Sequence, residues 1–135
     1  APGDDGFSWR AIHPEWQNWT VPQYLSALQH PIAEHGFGLD MDALKTADVC
    51  VMVMPCGMSA SLDTGYAVGA GKPTAVYVPG MREPDLMVKM ADLVTDDIVA
   101  LCAWAREQRH KWHSAMSFAD LRADGGLPEA RTSKS

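Results

Sequence analysis

Within residues 57–63 the chain sets a glycine, two serines and a carboxylate at every second position: Gly57, Ser59, Ser61 and Asp63. These types suit binding and attack on a small polar ligand. Gly57 lacks a Cβ, so the backbone there approaches a ligand closely. Ser59 and Ser61 can cap a helix or donate to an anion. Met58 precedes Ser59 in the loop Pro55-Cys56-Gly57-Met58-Ser59 and is expected to touch the ligand. The amides of the helical turn that follows point into the same space, where negative charge is favoured. Asp63 falls in that first turn. Its carboxylate faces the crevice if Leu62, Tyr66 and Gly69 or Ala70 face the sheet. An acid in a first turn equally complements the helix dipole, and spacing alone does not choose between these roles.

The elements that must hold these residues are legible on either side. Residues 49–54 form an apolar run of the length of one buried strand. A short helix is predicted over 60–70, stopped by Gly71 and Pro73, and a second apolar run covers 74–78. Strand, loop, helix and strand make a βαβ unit with an expected right-handed crossover. Ligands of open parallel sheets sit beyond the carboxyl ends of the strands, which places the site at 55–63.

Before this unit, residues 7–20 carry Phe7, Trp9, Trp16 and Trp19 without a helical or strand period. They read as an aromatic loop over the core edge, with Trp9 a platform for a flat base if it borders the crevice. Thr20, Pro22 and Gln23 predict a capped helix start. That helix runs to about His30, where Pro31 interrupts it. A further piece over 32–35 ends near Gly36, and another helix covers 39–46, with Leu39, Ala43 and Leu44 as its apolar stripe. After the unit, a helix is predicted from Glu83-Pro84-Asp85 to about Met90 and a strand over 91–95. A long helix capped by Asp96 or Asp97 then runs to about Lys111, with Ile98, Leu101, Cys102 and Ala105 buried. His30 and His35 do not share a helical face. His110 and His113 do, yet two ligands do not make a zinc site, so no metal is expected. Residues 1–124 read as one domain and 125–135 as a disordered tail.

The net charge of −6 argues against a nucleic-acid polymer as partner, because that needs clustered Lys and Arg. A single nucleotide is still compatible. No stretch is long enough to span a membrane, and no signal-peptide pattern opens the chain. Three cysteines without metal spacing fit a reduced, cytoplasmic protein.

Residues 40–48, the strand after them, Ser59-Ala60-Ser61-Leu62-Asp63-Thr64-Gly65-Tyr66-Ala67 and Gly71-Lys72-Pro73 resemble the nucleoside 2-deoxyribosyltransferase family, whose wider group includes the 2'-deoxynucleoside 5'-phosphate N-hydrolases. The similarity covers 39–78, with a further segment over 83–92. The resemblance implies an α/β fold: a Rossmann-like parallel sheet sandwiched by helices, in a homodimer or larger homo-oligomer. It also implies a carboxylate nucleophile at Asp63. A second acid, at the start of the helix before the central strand, falls on Asp40 and positions or protonates the leaving base. Ser59 or Ser61 falls where N-hydrolases hold the 5'-phosphate or 5'-hydroxyl. No cofactor is implied. The family nucleophile is normally Glu, so Asp63 is one methylene shorter, and misplacement on that scale costs about 10²-fold in rate. Family members usually begin with a strand and helix that this chain is expected to lack.

Cleavage of an N-glycosidic bond creates an oxocarbenium-like centre. A carboxylate on one face traps or stabilises it while an acid protonates the departing base. The expected activity is therefore cleavage or transfer at the N-glycosidic bond of a 2'-deoxynucleoside or its 5'-monophosphate. The alternative is a nucleotide-binding module of the same fold with weak or no catalysis. A third reading makes Trp9, Trp16 and Trp19 an oligomer contact.

Overall fold

A computed structural model describes residues 6–123, with side chains for 6–111. The chain divides into two compact units, Ala1–Ala47 and Asp48–Ser135. The predicted tail and the first five residues lie outside that range, and the side chain of His113 lies outside the side chains described.

The first unit is built around Trp9. Its ring meets Phe7, Trp19 and Tyr24 edge-on, with centroids 4.7, 5.7 and 5.8 Å away. Such pairs add about 0.5–1.5 kcal/mol each beyond their buried area. Trp9 is thus a hub among rings. Short 3-10 turns at Trp9–Ala11 and Trp16–Asn18 lead to helix α1, Val21–Ala27. Its start is the predicted capping box. The Thr20 hydroxyl accepts from the Gln23 amide, and the Gln23 side chain accepts from the Thr20 amide at 2.8 Å.

Helix α2, Pro31–Thr46, differs from the two pieces expected. Pro31 starts it: a proline at the first helical position lacks only an amide that would have gone unpaired. His30 caps it, its Nδ1 accepting from the Ile32 amide at 3.1 Å. Gly36 does not end it. A Cβ there would lie 2.9 Å from Phe7 Cδ2, so the glycine admits the Phe7 ring against the helix. Leu39 is exposed, Ala33 and Gly36 are buried, and Met41 and Leu44 are half-buried.

The second unit holds a parallel sheet in the order β1-β2-β3, with β1 Cys50–Val53, β2 Thr74–Tyr77 and β3 Leu93–Thr95. Met52 pairs in register with Val76, and Val76 with Val94, so these three share one face. Helix α3, Met58–Gly69, joins β1 to β2 and packs on both strands. Helix α4, Ile98–Ala123, packs on β3 and β2. The architecture is α/β and compatible with a Rossmann-like fold. The core lies under β2, where Ala75, Val76 and, from α3, Ala67 are fully buried.

Local rules explain the ends. Gly71, at φ +75, closes α3 by donating to Val68 O at 3.0 Å while Lys72 donates to Ala67 O at 2.9 Å. Asp97 caps α4, accepting from the Val99 amide at 2.8 Å. The segment before β3 is a 3-10 turn, Leu86–Met90, capped by Asp85, rather than an α-helix. On α4, Leu101 is buried and Trp104, Ala105 and Gln108 are half-buried, while Ile98 and Cys102 are exposed. Among the described residues no helix is long and apolar enough to cross a membrane.

Candidate functional site

A cavity of about 470 Å³ lies at the carboxyl ends of β1 and β2 in the second unit. Met52, Met54 and Val76 bring it apolar surface from the sheet side, and Val68 from α3. Met87, Val88 and Met90 close it from the segment before β3. Polar groups come from Cys56 in the loop after β1, from Ser61 and Thr64 on α3, and from Arg82, Glu83 and Asp85 after β2. The Met54-Pro55 peptide beside it is cis.

The hydroxyl geometry decides what this wall offers a ligand. Ser61 Oγ donates to Gly57 O at 3.3 Å, and Thr64 Oγ1 donates to Ala60 O at 2.7 Å. Both hydroxyl protons are thereby engaged, which leaves the oxygen lone pairs as what these two groups can offer a ligand. Cys56 Sγ lies 3.8 Å from Ser61 Oγ. One oxygen of Asp85 already accepts from the Met87 amide at 2.6 Å. The wall thus combines acceptors at Ser61, Thr64, Glu83 and Asp85 with the donor Arg82.

The anticipated residues fall as follows. Gly57, Met58, Ser59, Ser61 and Asp63 sit together around the start of α3, but of these only Ser61 lines the cavity. Gly57 is the N-cap, without a side-chain cap bond, so neither serine caps the helix. Ser59 is already helical and exposed. Met58 is 81% exposed and points outward. Because α3 begins at Met58, Asp63 is its sixth residue, in the second turn. The first turn holds no acid, which removes the dipole-complementing role. The buried face of α3 is Thr64 and Ala67 with half-buried Ala60, whereas Leu62 is 68% exposed and Tyr66 is exposed too. The expected apolar face is therefore turned to the outside, and Asp63 is exposed. Asp40 belongs to the first unit, at the tenth position of α2 rather than at a helix start, and it is exposed. Trp9 is also in the first unit, half-buried in its aromatic cluster.

Family models, curated proteins and solved structures yield no match to this chain. Site residues that sequence reasoning missed are Thr64, Arg82, Glu83 and the methionines of the floor. The signal for Arg82 and Glu83 was present, because ligands gather at the carboxyl end of every strand in such a sheet, and these two follow β2. Thr64 and Val68 needed the true rotation of α3. Among the described residues no three metal-ligating side chains converge.

Proposed function

We propose that the cavity at the carboxyl ends of β1 and β2 binds a 2'-deoxynucleoside or its 5'-monophosphate, and that the chain acts at the N-glycosidic bond. The cavity carries this reading. Its volume of about 470 Å³ lies within the range of small-molecule sites, and it pairs an apolar floor for a flat base with a polar rim for a sugar. The acceptors at Ser61 and Thr64 suit sugar hydroxyls. With one cation, Arg82, against two carboxylates, Glu83 and Asp85, the rim favours a free nucleoside over its phosphorylated form. Asp63 as nucleophile and Asp40 as partner acid rest on the resemblance to the nucleoside 2-deoxyribosyltransferase family, as does assembly into a homo-oligomer.

A binding module without turnover is the second reading. It is favoured by the position of Asp63, exposed and outside the lining of the cavity.

Chromatographic detection of released base separates the two. The protein is incubated with each 2'-deoxynucleoside and 5'-monophosphate, with and without an acceptor base. Release that disappears in Asp63→Ala supports glycosidic chemistry, and dependence on the acceptor identifies transfer. Undiminished release in that variant would sink the assigned nucleophile. Absence of release together with ligand-induced thermal stabilisation supports the binding module. A Tm that no nucleoside or nucleotide moves would end both readings.

A further inference from the structure

A second cleft, of about 520 Å³, lies in the first unit, and three of its side chains share one arrangement. Each has its acceptor atom tied to a nearby backbone amide. His13 Nδ1 accepts from the Glu15 amide and His30 Nδ1 from the Ile32 amide, both at 3.1 Å. Gln23 Oε1 accepts from the Thr20 amide at 2.8 Å and from the Thr20 hydroxyl at 3.2 Å. The histidines repeat a pattern, His13-Pro14-Glu15 and His30-Pro31-Ile32. Proline has no N–H, so the first amide each imidazole meets downstream is two residues on.

This arrangement fixes which N–H groups the three side chains have left to offer. A neutral imidazole that accepts at Nδ1 carries its proton on Nε2. A carboxamide whose oxygen is engaged has N–H left to give. Trp19, also in the lining, is a donor only. Among the described residues no Asp, Glu, Lys or Arg lines the cleft. The wall therefore offers four uncharged N–H donors, from His13, His30, Gln23 and Trp19, beside Ser26 and Gln29, which can both donate and accept. A group that carries only acceptors matches it.

We propose that this cleft binds a small oxyanion, a phosphate or a carboxylate, through the Nε2–H groups of His13 and His30, the amide N–H of Gln23 and the indole N–H of Trp19. Its lining lies wholly within the first unit.

The test is a ¹⁵N NMR titration of the full chain with sodium phosphate and, separately, sodium acetate, at constant ionic strength in chloride. Before addition, both imidazoles should show the Nε2-protonated tautomer. On addition, the Nε2 resonances of His13 and His30 and the Trp19 indole should shift saturably. Saturation by phosphate alone identifies a phosphate site, and by acetate alone a carboxylate site. The variant pair His13→Asn and His30→Asn keeps an acceptor for the same amides, because an Asn oxygen bonds the amide two residues on, but removes both Nε2–H groups. Combined, these changes should leave Tm near that of the parent and weaken binding about tenfold for each bond lost. An Nδ1-protonated tautomer at either histidine would overturn the proposal. So would shifts that fail to saturate with either anion, or a double variant that binds as the parent does.

Discussion

Gly36 and Gly38 lie two positions apart in α2 and answer to opposite demands. At Gly36 an added Cβ would meet Phe7 Cδ2 at 2.9 Å and Phe7 Cβ at 3.0 Å, while at Gly38 it would meet nothing within 4 Å. In a helix interior, alanine in place of glycine gains about 0.5–1 kcal/mol where space allows. A clash with a packed side chain costs about 1–3 kcal/mol. At Gly36 the clash wins, because Phe7 Cβ cannot swing away as a side-chain tip can. Gly36→Ala is therefore expected to lower stability by about 1 kcal/mol or more, net of the helix gain. Gly38→Ala should raise it by about 0.5–1 kcal/mol. Urea denaturation of both variants checks the pair, and equal responses would remove Phe7 from the account. Asp63 belongs to the same scale. Moving the helix start from a serine to Gly57 puts it in the second turn of α3, on the exposed face.

The elements are held by a few specific bonds as well as by packing. The start of β2 is joined to the residue before β3 twice. The Thr74 amide donates to Asp92 Oδ2 at 2.9 Å, and the Asp92 amide donates to Thr74 O at 2.8 Å. Thr74 is 1% exposed, so its amide has no ready replacement for the carboxylate. Asp92→Ala should cost about 1–3 kcal/mol, the penalty for a stranded buried donor. Asp92→Asn, which keeps an acceptor, should cost less. Thermal unfolding of the two variants makes the comparison, and an equal loss from both would argue for charge rather than the hydrogen bond. The bond ties β2, whose Val76 lines the cavity, to the segment that leads into β3.

At the scale of the whole molecule, two features of the second unit bear on assembly. β1 is an end strand of the sheet, and its Val51 and Val53 are exposed. The outer face of α3 carries Met58 and Leu62, also exposed. Open strand edges and apolar faces are surfaces that favour association. The sedimentation coefficient is expected to rise with concentration toward that of a dimer. A monomer at every concentration would count against the homo-oligomer reading.

What the sequence determined by itself was mostly local. The capping box at Thr20 and Gln23, a cap at Asp96 or Asp97, which fell to Asp97, and the stop at Gly71 each depend on residues within one turn. The apolar runs of β1 and β2 and the loop between β1 and α3 were equally legible from their length and flanking turn residues, although β1 is buried only at Met52 and exposes Val51 and Val53. Tertiary contacts decided the rest. One exception is local: Pro31 can end one helix or begin another, and it begins one where the His30 side chain caps the Ile32 amide two residues on. Gly36 can break a helix or admit a neighbour, and Phe7, distant in sequence, made it a contact. The face of α3 went to the sheet through Ala60, Thr64 and Ala67, since small residues let helix and strands approach closely, and the larger Leu62 and Tyr66 stayed outside. That rotation brought Ser61 and Thr64 to the cavity and left Asp63 off its wall. Periodicity shows that a helix has two faces. Which face is buried depends on the surface it meets.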